Sequence, residues 1–158
     1  MFKKFIIAYD HNADDKYISK IKEILAEKGV DFSVLVDEGK ANDYPLLAQK
    51  AYEMFLKENA DGMILLCGTG IGMNMVANKF NGIRAVLANS EAESYFARVH
   101  ENANAIVFGA GYASELYEIK LCRRKMARML SIFIDTEFKG EERHKRRISQ
   151  IAEIEKKN

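Results

Sequence analysis

Short apolar runs alternate with stretches of helical periodicity along the whole 158-residue chain. Between the runs, apolar residues recur at helical spacing, as Ile18, Ile21 and Leu25 do before Gly29. The runs themselves are nearly continuous, which is typical of strands buried on both faces, and they occupy residues 4–9, 32–36, 63–66, 83–88 and 105–108. This alternation predicts an α/β fold: a single Rossmann-like domain over residues 1–158, in which a five-stranded parallel sheet lies between two helical layers of a three-layer α/β/α sandwich.

Local signals place several of the later helices. Pro45 suits the first turn of a helix that runs to about residue 57. Ser90 is positioned to cap the helix that follows the fourth strand. Periodicity predicts a long helix over residues 114–132, and a highly charged helix over residues 141–157 extends the fold at its C-terminus.

The charge and cysteine content exclude several classes of protein. The 24 Lys and Arg residues against 23 Asp and Glu leave a net charge of +1, which predicts binding neither to nucleic acid nor to a membrane surface. The first apolar run is too short for the core of a signal peptide or for a bilayer span. Cys67 and Cys122 lack metal-ligand spacing, so we expect free thiols in a cytoplasmic protein.

The segment Cys67-Gly-Thr-Gly-Ile-Gly72 is the strongest candidate for a binding site. It follows the third strand and precedes a helix that begins near Asn74, so its glycines let backbone N–H groups approach an anion beside a helix N-terminus. A thiol in this position is expected to have a lowered pKa and to serve as a base or nucleophile. The spacing fits neither the dinucleotide-binding nor the P-loop pattern. A tight turn without a ligand is the alternative, although three alternating glycines exceed what a turn requires.

Three further candidates lie near the ends of predicted elements. Asp10-His11 follows the first strand, at the edge where parallel sheets bind ligands, although the pair also suits a turn with a helix cap. His100 ends a predicted helix, either as a catalyst or as a charge partner of the helix C-terminus. Arg143 and Arg147 share one helix face and, with His144, suit a phosphate, or else they belong to a solvated basic run.

These segments and several others follow one another in a specific order. The order is Asp10-His11, Asn42-Asp-Tyr-Pro45, Cys67-Gly-Thr-Gly-Ile-Gly72, Ala77-Asn-Lys-Phe-Asn-Gly-Ile-Arg-Ala85, His100, Asn102-Ala-Asn104, Phe108-Gly109, Glu137-Phe-Lys-Gly140, Arg143-His144 and Arg147. It resembles, over nearly the whole chain, the ribose-5-phosphate isomerase B family, which includes the galactose-6-phosphate isomerase subunits. The resemblance implies interconversion of a phosphorylated aldose and ketose without metal or cofactor, most simply ribose-5-phosphate and ribulose-5-phosphate.

The resemblance also implies a role for each catalytic position. Cys67 would take the C2 proton of the sugar and return it at C1. Thr69 and the backbone N–H groups of the turn would stabilise the enediolate as charge develops on oxygen. These N–H groups belong to Gly68, Gly70, Ile71 and Gly72. His100 would act as the acid and base that opens the sugar ring.

Substrate recognition and assembly follow from the same resemblance. Asp10 would orient sugar hydroxyls. The implied ligands of the sugar and its phosphate are His11, Glu101, Arg143, His144 and Arg147. Family members are at least dimers, so we expect a homodimer or a dimer of dimers in which His100 serves the partner's Cys67.

Departures from the family pattern leave the substrate open. Glu101 stands where the family usually has an asparagine that contacts the sugar, and Gly111 stands where an arginine often reaches the phosphate. The stretch from Gly111 to the C-terminal helix is also longer than usual, and we hypothesise that an arginine within it replaces the missing one. The candidates are Arg123, Arg124 and Arg128. A galactose-6-phosphate or other hexose- or tetrose-phosphate isomerase, and a catalytically silent sugar-phosphate-binding partner subunit, remain as alternatives.

Overall fold

A computed structural model describes residues 1–11, 13, 15–36, 43–113 and 118–157. Asn42 and residues 114–117, which the sequence analysis drew on, lie outside these described residues. The strands of the main sheet are β1 Lys4–Tyr9, β2 Asp31–Val36, β3 Gly62–Cys67, β4 Ala85–Leu87 and β5 Ala105–Gly109. The helices are α1 Asp15–Glu27, α2 Tyr44–Lys57, α3 Ile71–Ala77, α4 Glu91–Glu101, α5 Arg123–Asp135 and α6 Glu142–Glu155. A hairpin of β6 Gly111–Ala113 and β7 Glu118–Lys120 lies between β5 and α5.

The main sheet is parallel throughout, in the order β2-β1-β3-β5-β4. β3 is central, and all six of its residues are buried because both of its faces are covered. Ile64 and Leu66 face a core formed with α1 and α5, to which α4 adds Ala97, whereas Met63 and Leu65 face a core formed with α2 and α3. These two cores confirm the predicted three-layer fold.

The predicted helix starts before α2 and α4 are confirmed. Pro45 lies in the first turn of α2, where its missing N–H is not needed. Ser90 and Glu93 form a capping box at the start of α4: the Ser90 hydroxyl accepts the Glu93 N–H at 3.2 Å, and the Glu93 carboxylate accepts the Ser90 N–H at 3.0 Å. This reciprocal pair explains why α4 begins directly after the carboxyl end of β4.

The predicted helix over residues 114–132 is wrong at residues 118–122, whereas residues 114–117 lie outside the described residues. Residues 118–120 form β7, which pairs with β6 at residues 111–113, and α5 starts only at Arg123. The apolar face of α5 that packs on the core starts at Met126, so no buried helical stripe holds the earlier residues in a helix. Smaller differences affect α3, which begins at Ile71 rather than near Asn74, and β4, which is three residues long.

The C-terminal helix α6 is confirmed, and it lies mostly in solvent. His144 is its buried residue, while Ile151 and Ile154 remain exposed. Within the described residues, no helix combines the length and the apolar character that crossing a membrane requires.

Candidate active site

The glycine turn after β3 lies at the carboxyl edge of the sheet, between the ends of β5 and β4. Gly70 has a φ of +76°, and a β-carbon there would lie 2.5 Å from the Leu87 side chain and 2.8 Å from the Gly109 nitrogen. A β-carbon on Gly109 would in turn lie 2.6 Å from the Thr69 carbonyl oxygen. Glycine is therefore needed at both positions, because the turn and the end of β5 approach each other backbone to backbone.

Three backbone N–H groups surround the Cys67 thiol. The N–H of Gly70 donates to Sγ at 3.2 Å, and those of Met73 and Thr69 lie close enough to the sulfur to favour its charged form and lower its pKa. These donors favour the thiolate, as expected from the sequence. The thiol is nevertheless only 5% exposed, and its burial, together with the negative charge of Asp10, raises the pKa of Cys67 above its usual value. The predicted lowered pKa is wrong, because the loss of hydration around a thiolate outweighs the N–H donors.

The residues after β1 lie at the same edge as the turn. The Asp10 N–H donates to the Leu66 carbonyl at 3.2 Å, and the Asp10 side chain is buried, close enough to Cys67 for its charge to affect the thiol. His11 is exposed at this edge. The Thr69 hydroxyl, half-buried, accepts the Ile71 N–H at 3.2 Å. The structure thus brings together the candidates near β1 and β3, and we name this group the cysteine cluster: Asp10, His11 and residues 67–72.

His100 lies at the opposite edge of the sheet from Cys67. α4 leads from the carboxyl end of β4 back to the amino end of β5, and His100 is the last residue but one of that helix. The intervening strand β3 has six residues, which corresponds to about 20 Å at roughly 3.3 Å per residue. One chain therefore does not bring Cys67 and His100 together.

Residues of α6 join His100 at this second edge. The rings of His100 and His144 have centroids 4.5 Å apart, and His144 is 2% exposed. Arg143 and Arg147 point to solvent from the same helix, and Arg143 pairs with Glu141 at 3.0 Å. Glu101 and His100 line a mostly apolar groove of about 580 Å³ between α4, α6 and β4. We name this group the histidine cluster: His100, Glu101, Arg143, His144 and Arg147.

Two aromatic residues beside these clusters were not given roles from the sequence. Tyr44 packs on the glycine turn, since a β-carbon on Gly72 would lie 2.6 Å from its ring. Phe96 packs on His100 with ring centroids 4.9 Å apart. The four-residue spacing of Phe96 and His100 on α4 is the signal that would have found this contact.

The arginines considered as replacements lie at the start of α5. Arg123 and Arg124 are exposed in its first turn, and Arg128 pairs with Glu91, the first residue of α4, at 3.3 Å. The Tyr17 hydroxyl donates to the Leu121 carbonyl at 2.7 Å, which ties the start of α5 to the start of α1 at the carboxyl edge. These arginines therefore lie on the side of the cysteine cluster.

Comparison with known proteins gives a consistent result. The Ribose/Galactose Isomerase family matches residues 5–151. The chain is 30% identical to ribose-5-phosphate isomerase B of Escherichia coli, with 84% of each chain covered. It is 30% identical to a galactose-6-phosphate isomerase subunit of Clostridium acetobutylicum, with 94% of this chain and 81% of that one covered. The crystal structure of a ribose-5-phosphate isomerase from Thermotoga maritima superposes with a TM-score of 0.79 at 35% identity, covering 96% of this chain and 98% of that one.

Proposed function

The chain belongs to the ribose/galactose isomerase family and is a sugar-phosphate isomerase, and from this premise we propose that it interconverts ribose-5-phosphate and ribulose-5-phosphate. The observation that carries the proposal is the Cys67 thiol at the end of the central strand, enclosed by backbone N–H donors and beside Asp10. The proposal covers residues 1–158 as one isomerase domain acting in the pentose phosphate pathway. The two free cysteines, Cys67 and Cys122, support a cytoplasmic setting.

In the proposed mechanism Cys67 carries the proton between two carbon atoms. The thiolate takes the proton from C2 of the open-chain aldose, and the electrons of that C–H bond form the C1–C2 double bond of an enediolate. The proton returns from sulfur to C1, and the C2 hydroxyl passes its proton to the C1 oxygen as the C2 oxygen becomes the ketone. The base must be deprotonated first, and because burial raises the pKa of Cys67, the thiolate is the minor form at neutral pH in the unliganded chain.

The glycine turn is suited to stabilise the enediolate. Its backbone N–H groups lie next to the sulfur, and the half-buried Thr69 hydroxyl lies in the same turn, so both would face the negative charge that develops on the sugar oxygens. Asp10, at the same edge, would orient the sugar hydroxyls. A carboxylate held next to a buried thiol also discourages premature ionisation of the base, so proton removal would follow substrate binding.

The phosphate would bind to His11 and to two arginines of the histidine cluster. Arg143 and Arg147 are one helical turn apart and exposed, so both guanidinium groups can reach one anion. The Glu141 contact with Arg143 is exposed and would be exchanged for the phosphate at little cost.

We propose that each pocket combines the cysteine cluster of one chain with the histidine cluster of another in a homodimer or a dimer of dimers. The separation of Cys67 and His100 across the sheet supports this arrangement. Exposed apolar side chains beside both clusters also favour an interface: Ile71 and Met75 next to the turn, and Phe96 next to His100.

Mixing two inactive variants tests the shared pocket. Cys67→Ala and His100→Ala are each expected to be inactive. After co-refolding in equal amounts, half of the dimers are mixed and carry one intact pocket each, which would restore about a quarter of wild-type activity. Sedimentation measures the dimer directly, and a mixture that stays inactive while forming mixed dimers would contradict shared pockets.

A hexose phosphate is the second candidate substrate. The relative from Clostridium acetobutylicum is a galactose-6-phosphate isomerase subunit, and Glu101 gives this chain a carboxylate at the rim of the histidine cluster.

We also keep the hypothesis that Arg123, Arg124 or Arg128 supplies a further phosphate contact. Replacing all three by alanine without weakening phosphate-sugar binding would exclude it.

The deciding experiment is a ketose-forming assay on wild type and Cys67→Ala. Ribose-5-phosphate is run beside allose-6-phosphate, galactose-6-phosphate and a tetrose phosphate. Turnover of ribose-5-phosphate that is lost in Cys67→Ala supports the proposal, whereas turnover of another sugar alone reassigns the substrate. Binding without any turnover would indicate a silent partner subunit and would contradict the proposed reaction.

A further inference from the structure

The His100 ring is held by two neighbouring rings rather than by hydrogen bonds. Phe96 packs on it with ring centroids 4.9 Å apart at an interplanar angle of 33°, and His144 packs on it at 4.5 Å and 45°. Among the described residues, no hydrogen bond reaches the imidazole of His100. Catalytic histidines are commonly oriented by a carboxylate or a carbonyl on one ring nitrogen. Here the two ring contacts are what orient the imidazole.

His144 contacts His100 with its imidazole ring, which is tilted by 45° against the His100 ring. Its side chain is 2% exposed between α4 and α6, and its Nδ1 is buried with no hydrogen-bond partner among the described residues. An unpaired buried polar atom lowers stability, so an apolar ring of similar shape would hold the two helices at least as well. The fold therefore gains nothing from the Nδ1 of His144, whereas it does use the ring contact with His100.

We propose that His144 and Phe96 are positioning residues for ring opening, which rests on the proposed function of His100. Ribose-5-phosphate is mainly a furanose, and opening it moves the anomeric hydroxyl proton away, breaks the C1–O4 bond and protonates O4. An imidazole that performs both transfers must face two oxygens in turn, so its plane has to be fixed. The contacts of the His100 ring with Phe96 on α4 and with His144 on α6, which we call the stack, fix the plane of the imidazole. This assignment takes His144 out of direct contact with the phosphate.

Ring opening can be separated from the proton transfer at carbon. Ribulose-5-phosphate has no furanose form, since its C5 oxygen carries the phosphate and its other hydroxyls cannot close a five-membered ring on C2. In D₂O, the proposed mechanism exchanges a C1 hydrogen of ribulose-5-phosphate for deuterium through Cys67, without any ring opening. Net conversion of ribose-5-phosphate needs the ring to open as well. The two rates, followed by NMR on the same protein, report the two steps separately.

Three variants test the role of the ring face. His144→Asn, which keeps a polar group and loses the ring, should lower net conversion of ribose-5-phosphate about 10- to 100-fold while C1 exchange stays within about twofold. His144→Phe, which keeps a ring and loses the nitrogens, should retain both rates within about threefold and should not lower the melting temperature. Gln150→Ala, an exposed change on the same helix, should alter neither rate.

Other outcomes overturn the proposal in distinguishable ways. A His144→Asn variant that keeps net conversion while His144→Phe loses it would show that the nitrogen matters. A weaker inhibition by inorganic phosphate in His144→Asn would make His144 a phosphate ligand. If wild type shows neither rate, the proposed function fails. The NMR order parameter of the His100 Cε1–Hε1 bond then still tests the stack, since it should fall in His144→Asn and not in His144→Phe.

Discussion

Gly72 should accept a β-carbon only when the Tyr44 ring is removed. In the wild type, a β-carbon at residue 72 would lie 2.6 Å from two atoms of that ring, well inside van der Waals contact. The φ of Gly72 is not in the left-handed region, so the obstacle is the ring and not the backbone. Overpacking of this kind costs about 1–3 kcal/mol. Because Tyr44 is 43% exposed and free to rotate outward, we expect the low end, about 1 kcal/mol of lost stability for Gly72→Ala.

The same substitution should change sign in a Tyr44→Ala background. With the ring gone, alanine in the first turn of α3 restricts the unfolded chain and stabilises by about 0.4–1 kcal/mol. The coupling energy between the two positions is then about 1.5–2 kcal/mol. Urea unfolding of wild type, both single variants and the double variant measures this coupling energy, at one protein concentration because self-association would shift apparent stability.

Gly70→Ala is the matched control. Its φ is +76°, and its β-carbon would meet the backbone nitrogen of Gly109 at 2.8 Å as well as the Leu87 side chain. Left-handed strain of about 1–2 kcal/mol adds to overpacking, for about 2–5 kcal/mol in all. Tyr44→Ala should not relieve it. Equal destabilisation by Gly72→Ala in both backgrounds, or rescue of Gly70→Ala by Tyr44→Ala, would refute the steric reasoning.

Three other predictions address the thiol, a helix cap and a buried cation. Burial and the charge of Asp10 raise the pKa of Cys67, so its alkylation rate in a Cys122→Ser background should still be rising well above pH 8.5, the usual pKa of a free thiol. Asp10→Asn should move that rise to lower pH. A pH profile that does not move would contradict the electrostatic coupling between Asp10 and Cys67. Ser90→Ala should lose about 1 kcal/mol in urea unfolding and Ser90→Asn much less, since asparagine also caps. Arg98→Met should lower the free energy of unfolding by about 2–4 kcal/mol, because it leaves the buried carbonyl of Ala103 and that of Thr136 without their donor. A loss below about 1 kcal/mol would show that water replaces the guanidinium.

Much of the candidate site could be predicted from the sequence because its residues directly follow predicted strands. Asp10 and Cys67 end neighbouring parallel strands, and the carboxyl ends of such strands meet at one edge. The pKa of the Cys67 thiol could not be predicted in the same way. Its pKa depends on how closely Asp10, Met73 and the core on the side of α2 and α3 enclose the sulfur, which is a property of packing and not of spacing along the chain.

The burial of Arg98 and the strands β6 and β7 likewise could not be predicted from the sequence. Nothing in the charged stretch around Arg98 distinguishes it from a surface residue, yet it is 8% exposed and lies 4.5 Å from the Phe2 ring centroid. Its burial, together with the positive charge of Arg84, lowers the pKa of Arg98 to about 10, so it remains a cation at neutral pH. In the hairpin segment, apolar spacing fits a helix or a strand, and only the pairing of β6 with β7 decides between them.

The sequence by itself determined the layered α/β fold, the glycine turn and the family, because strand–helix alternation and short motifs act through local geometry. Tertiary structure alone decided that Cys67 and His100 lie at opposite edges of the sheet, and that His100 is held between Phe96 and His144. The physical reason is that α4 reverses the chain direction across the sheet. Cys67 and His100, to which the proposed function assigns one reaction, are thereby separated within a chain, and under that proposal they would meet only between chains.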